Sequence, residues 1–165
     1  MSDPHIRPAT PADDVAVADL VVDAYVQGGH LAPDDGYVRV LRRTADRRRQ
    51  AEVLVAELDG HLAGTVTIVV GGTEFSEFGD EHDTEIRMLA VASDHAGRGV
   101  GAALLARVLD RSRAHHARGV ALYTLDSMVA ARTLYQRNGF GRRPDLDHEP
   151  VPGVQLRAYR LDLGS

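Results

Sequence analysis

The chain has no cysteine among its 165 residues. That absence excludes disulfides, thiolate metal sites and a cysteine nucleophile, and with the last a cysteinyl acyl-enzyme. It fits a reducing compartment, so a cytoplasmic location is expected, and no metal cofactor is expected. Lysine is also absent, and arginine supplies all nineteen basic residues. A Walker loop closes on Gly-Lys-Ser/Thr, whereas Gly101 is followed by Ala102 and Ala103. Nucleoside triphosphatase chemistry of that kind is excluded. No apolar run reaches the length of about eighteen residues that a membrane span needs, so no membrane partner is expected. The start, Met1 to His5, lacks the basic and apolar stretches of a secretory leader. A net charge of −5 leaves no basic stripe of the kind nucleic-acid binding requires, so no nucleic-acid partner is expected.

What is present is an ordinary globular composition, 44% apolar, at a length that fits one domain over residues 1–165. The most informative stretch is Leu89 to Leu105, an apolar strand that runs into a glycine-spaced turn and then into a helix. Gly97, Gly99 and Gly101 let backbone amides approach a ligand closely. The first turn of a helix holds amides without internal partners at the positive end of its dipole. Together these make a seat for a phosphate or pyrophosphate. Gly97, Gly99 and Ala102 also satisfy a permitted variant of the dinucleotide fingerprint, but a lone match of that kind is weak.

The remaining pattern alternates strands and helices. Ile6 and Arg7 begin a strand. Thr10, Pro11 and Asp13 form a capping signal for a helix that ends near Gln27. A second helix is predicted from about Pro33 to the Arg47-Arg48-Arg49 cluster, a cationic helix end facing water. Strands follow at 52–58 and 61–70, joined by the hairpin signal Asp59-Gly60. An acidic loop spans 71–83, and a fourth strand spans 85–91. After the glycine turn, Leu104, Leu105, Val108 and Leu109 mark one helical stripe. Residues 120–125 read as a buried strand. The next helix is capped by Asp126 or Ser127 and ends at Asn138-Gly139, and strands near Phe140 and 154–161 close the chain. This order predicts an α/β fold with a mixed sheet.

Four pieces in this order resemble the GNAT superfamily of N-acetyltransferases: Ile6 to Asp14, Asp59-Gly60 with Leu62-Ala63-Gly64, Leu89 to Gly101, and Ala131 to Phe140 with its Leu-Tyr, three residues, Gly-Phe ending. The resemblance covers nearly the whole chain. It implies a mostly antiparallel central sheet of six to seven strands flanked by about four helices. Two places depart from it. Ala96 stands where the family's signature commonly has Arg or Gln, and Met128 stands where the late helix often carries Asn.

The resemblance further implies acetyl-CoA, or another acyl-CoA, as donor. Its pyrophosphate would sit on the turn Ala96, Gly97, Arg98, Gly99, Val100, Gly101 and Ala102, and its pantetheine arm would lie along Leu89, Ala90 and Val91. Tyr135 is implied as the general acid for the leaving thiolate, a role suited to a phenol. Glu85, expected on the same alternating face as Arg87, Leu89 and Val91, is the candidate base; His82, Asp83 and His30 are other candidates. His30, Tyr37 and Asp83 are expected to bind a small-molecule or peptide amine. Glu74, Glu77, Asp80, Glu81, Asp83 and Glu85 form an acidic field suited to a cationic amine. The leading expectation is direct acetyl transfer in a ternary complex. A non-catalytic acyl-CoA sensor is the alternative, a nucleotide-binding domain is a third reading, and pairing at the C-terminal edge points to a homodimer.

Overall fold

The structure is a computed structural model that describes residues 3–73, 76–78, 80–150 and 152–164. Seven strands form one sheet: β1 (His5–Pro8), β2 (Glu52–Leu58), β3 (His61–Val70), β4 (Asp83–Val91), β5 (Gly119–Thr124), β6 (Gly141–Arg142) and β7 (Arg157–Asp162). Their spatial order is β1-β2-β3-β4-β5-β7-β6. Every neighbouring pair is antiparallel except β4 and β5. Five α-helices flank the sheet: α1 (Asp14–Val26), α2 (Tyr37–Leu41), α3 (Thr44–Gln50), α4 (Val100–Ala114) and α5 (Val129–Arg137). None is long and apolar enough to cross a membrane among the described residues. The C-terminal strand β7 is not the sheet edge as expected; β6 covers it at Tyr159 and Arg160.

Two apolar cores lie on the two faces of the sheet. On one face α1 buries Val17, Ala18, Val21 and Val22, a helical stripe, against Val53, Val55, Met88 and Ala90. On the other, Val100, Leu104, Leu105 and Val108 of α4 meet Leu54, Ala56, Val66, Ile86 and Leu122. Gly64 permits the second contact. A Cβ there would stand 2.7 Å from Val100 Cγ1 and 3.1 Å from the Ala90 carbonyl oxygen, so α4 could not approach β3 as it does.

The first helix starts as the sequence predicts. The Thr10 amide donates to the Asp13 carboxylate at 2.7 Å, and Arg7 holds the same carboxylate at 2.8 Å. The predicted second helix is instead two. The Arg47 guanidinium folds back to donate to the carbonyls of Val40 and Leu41, each at 2.9 Å. It thereby satisfies the C-terminal carbonyls of α2 that a helix leaves open and ends that helix. The arginine cluster is therefore not a uniformly solvated end. Arg47 is 2% exposed, Arg48 grips Asp14 at 2.9 and 3.0 Å, and Arg49 pairs with Asp46. The expected cap of α5 is also replaced. Asp126 pairs with Arg157 at 3.1 Å, Ser127 is engaged by His30, and Met128 occupies the cap position without a side-chain bond.

Candidate active site

The sheet opens where the site lies. β4 and β5 pair only from Asp83↔Gly119 to Ile86↔Leu122. Beyond that point β4 stays with β3 as far as Val91, while β5 stays with β7 as far as Thr124. Among the described residues, Arg87 to Val91 therefore have no strand neighbour on their β5 side. The parting coincides with a bulge: Thr65 pairs Ala90 and Thr67 pairs Arg87, so β4 carries an extra residue. Met88 absorbs it with φ +64°, a left-handed conformation that costs a non-glycine residue roughly 1–3 kcal/mol. The bulge also breaks the alternation expected of β4. Glu85, Arg87 and Met88 line one cleft with Tyr25 and Tyr37, whereas Leu89 and Val91 pack into the α4 side of the sheet. Glu85 thus does not share a face with Leu89 and Val91.

At the far end of the opening lies the glycine turn. Gly97 and Gly99 have φ +76° and +81°, the latter as the cap of α4. A Cβ at either would meet nothing within 4 Å, so backbone conformation and not space demands glycine there. The first helical bond of α4 runs from the Ala103 amide to the Gly99 carbonyl, which leaves the Val100, Gly101 and Ala102 amides ahead of it at the positive dipole end. Gly101 lies 3.3 Å, at its Cβ position, from Leu134 of α5. Ala96 is exposed and extended. The Arg98 guanidinium donates to Asp59 of the β2–β3 hairpin at 2.9 Å, so its charge is already met at the rim of the turn.

The cleft on the α1–α3 side is lined by Tyr25, Tyr37, Glu77, Phe78, Glu85, Arg87 and Tyr123, among others. Glu85 is 3% exposed. Its carboxylate accepts the Ser76 hydroxyl and the Glu77 amide at 2.8 Å, and the Phe78 amide also contributes. Burial, the largest influence, still holds its pKa above the ordinary carboxylate value. Phe78 stacks on Tyr123 with ring centroids 4.2 Å apart, which seats this segment over the cleft. Arg87 pairs with Glu77 at 2.9 Å. Burial pushes the Tyr37 phenol up to about 12. It also raises Tyr25, whose ionisation is further opposed by Tyr37 and then Tyr135.

Tyr135 is 4% exposed, packed on Phe140 at 5.5 Å between centroids, and held protonated by burial. It stands in the core on the α4 side, across the sheet opening from Tyr25. His30 meets Ser127 at 2.6 Å and so ties the segment after α1 to the turn after β5. Asp83 does not face the cleft, contrary to its expected substrate role. Arg160 takes both its oxygens at 2.7 and 2.8 Å. The acidic field is likewise divided by internal partners: Glu77 by Arg87, Asp83 by Arg160, and Asp80 by the His82 amide. Glu74 lies outside the described residues. Sequence reasoning missed Tyr123, which lines the cleft, and placed Arg87 only as sharing a strand face with Glu85.

The profile of the Acetyltransferase (GNAT) family matches residues 15–140. Among curated proteins the chain is similar to N-acetylaspartate synthetase of Xenopus tropicalis, 31% identical over 119 residues, covering 66% of this chain and 41% of that protein. It is also similar to the human protein of that name, 32% identical over 62% of this chain and 32% of that protein. The chain thus spans less than half the length of these relatives. Among solved structures, a GNAT-family acetyltransferase of Staphylococcus aureus superposes with TM-score 0.80 at 16% identity, covering 98% of this chain and 99% of that one. The Salmonella typhimurium protein yncA, solved with its cofactor acetyl-CoA, superposes with TM-score 0.72 at 22% identity over 99% of this chain and 96% of that one. With the parted sheet and the glycine turn in the places described, the match over residues 15–140 establishes that this chain belongs to the GNAT acetyltransferase family.

Proposed function

We propose that the protein transfers an acetyl group from acetyl-CoA to a primary amine by direct attack within a ternary complex. The observation that carries this is the parting of β4 from β5 after Ile86, with the amides that open α4 at the far end of the gap. An extended pantetheine arm fits beside Arg87 to Val91 as an added strand, with backbone bonds in place of a neighbour. The diphosphate then falls on the amides of Val100, Gly101 and Ala102, where fixed dipoles favour an anion. The absence of a basic residue at Ala96 leaves that seat built from backbone. A donor of this kind supplies an acyl thioester, and the chain's own groups do the rest.

The amine nitrogen attacks the thioester carbonyl carbon; a C–N bond forms and the C–S bond breaks. A backbone amide near Leu89 stabilises the negative oxygen, a contribution of about 3 kcal/mol at comparable sites. Glu85 takes the proton that the amine sheds, directly or through water. A carboxylate offers about four lone-pair positions, and three are taken by Ser76, Glu77 and Phe78. That leaves one for the proton of the amine. Tyr135, kept protonated by burial, gives its proton to the departing thiolate.

The test is calorimetry with acetyl-CoA followed by a free-thiol assay over a panel of amines. Binding accompanied by amine-dependent thiol release is expected. The absence of any heat would overturn the proposal. Binding without release across the whole panel would favour a non-catalytic sensor. The curated relatives are named for N-acetylaspartate, which makes aspartate one acceptor to include.

A further inference from the structure

The charges around the cleft balance only while Glu85 is ionised. Arg47 is 2% exposed, and its guanidinium bonds only neutral partners among the described residues: the carbonyls of Val40 and Leu41, and the Thr44 hydroxyl at 3.2 Å. Its Nε is buried with no hydrogen-bond partner. A buried cation without an anion is expensive, and a buried donor left unbonded adds to the cost. Burial, and next the charge of Arg87, draw Arg47 down to about 10, so it stays cationic at neutral pH. Besides burial and Arg43, the groups that act on it are Arg87, Tyr25 and Tyr37, and these three line the cleft.

The sum around the cleft turns positive during the reaction. Arg87 and Glu77 cancel as an ion pair. Glu85 becomes neutral once it holds the proton of an attacking amine. Arg47 is then left as one uncompensated positive charge behind the cleft wall. Tyr25 and Tyr37, both held protonated, add two hydroxyl donors on the same wall. A purely cationic amine would worsen this balance; an amine that carries its own anion would correct it.

We propose that the acceptor is an amino acid, an amine bearing a carboxylate, seated with that carboxylate against Arg87, Tyr25 and Tyr37 and with Arg47 as the charge behind them. This rests on the transfer reaction above and names its acceptor class. It also reverses the cationic-amine preference that the acidic loop implies on sequence grounds.

The experiment compares free amino acids with an amino-acid amide and with amines lacking the carboxylate. Aspartate, glutamate and alanine serve as acids, with alaninamide, ethylamine and spermidine against them, all at saturating acetyl-CoA with thiol release as readout. A charged hydrogen bond to the carboxylate corresponds to roughly a 10- to 100-fold preference in kcat/KM for acid over amide. Arg87→Gln should reduce that preference to a few-fold. Glu77→Gln, which frees Arg87 from its competitor, should widen it. Because Arg47 also closes α2, Arg47→Gln is judged by binding and not by rate: acids raise the melting temperature of the wild-type protein with CoA, and in a variant that still melts cooperatively this rise is lost. Equal turnover of acids and amides, or a preference for spermidine, would overturn the proposal and leave acetyl transfer standing. Acetyl-CoA binding with no thiol release from any acceptor would overturn the transfer reaction, and this assignment with it.

Discussion

The seat at the start of α4 and the cleft beside α1, α2 and α3 serve one reaction but are built by opposite means. The seat is backbone: two left-handed glycines and three amides within six consecutive residues. The cleft is side chain: Tyr25, Tyr37, Arg87 and Tyr123, with Glu85 behind Ser76, Glu77 and Phe78, from five separate parts of the chain. A backbone site depends on local conformation and survives most substitutions around it. A side-chain site depends on the packing of every element that delivers a residue, so it can be re-specified without disturbing the donor half.

The largest expected effect falls between the two halves, on the proton donor to the leaving group. Tyr135→Phe removes one oxygen and keeps the ring on Phe140. General acid catalysis contributes roughly 10²–10⁴-fold, so kcat should fall by about that factor while the affinity for acetyl-CoA, read by calorimetry, stays within about two-fold. Full turnover at every pH would show that the thiolate takes its proton elsewhere, with Tyr25, a cleft phenol that feels the charge of Tyr135, the next candidate.

Glu85→Gln comes next, with a loss of about 100-fold. Here pH sharpens the comparison. The base must be ionised to work, and burial raises its pKa. The wild-type kcat/KM should therefore climb with pH through a value above the ordinary carboxylate range, and this limb should vanish in the variant. The sign for stability is the opposite. With the folded pKa the higher one, the contribution of this carboxyl to stability is full below its unfolded pKa and is lost as pH rises through the folded value. At neutral pH Glu85→Gln should melt no lower than the wild type. Binding of acetyl-CoA, a property of the other half, should show no such limb.

These two halves were unequally legible in the sequence. Gly97, Gly99 and the apolar stripe of α4 stand together in the chain, so local pattern was enough to place them. The same holds for Asp59-Gly60, which turns β2 into β3 at φ +53° and +80°. The cleft needed tertiary facts. The bulge at Met88 reverses the facing of β4, and no residue type announces a left-handed methionine. Arg47 looked like one of three solvated arginines, yet the carbonyls of α2 draw it inside. Asp83 and Glu85 look alike as acids two residues apart, and what separates them is Arg160, which arrives 77 residues later in the sequence. Local rules find the backbone site because that site is local. They miss the acceptor wall because its charges are assigned by partners distant in the chain.

A third prediction strikes the support of the seat. Gly64→Ala places a Cβ 2.7 Å from Val100 Cγ1 and 3.0 Å from Leu104 Cδ1. Overpacking of this kind costs about 1–3 kcal/mol, measurable by chemical denaturation. Relief requires α4 to move away from β3 and to carry its free amides with it. Acetyl-CoA affinity should weaken by about 10-fold, while the ratio of rates between different acceptors stays unchanged. A changed ratio would show that the two halves are mechanically coupled.

The smallest effect tests whether the seat is backbone at all. Arg98 is the one cation within the glycine turn, and its guanidinium is held by Asp59 at 2.9 Å on a partly exposed rim. Exposed pairs of this type contribute between zero and about 1 kcal/mol, and a cation already neutralised by an aspartate adds little to phosphate binding. Arg98→Ala should change the calorimetric Kd for CoA by less than about three-fold. Gly99→Val, which keeps every side-chain charge but cannot easily hold φ +81°, should weaken it by at least ten-fold. If the order were reversed, the phosphate would be bound by a guanidinium, and the contrast between a backbone seat and a side-chain cleft would fail at its donor end.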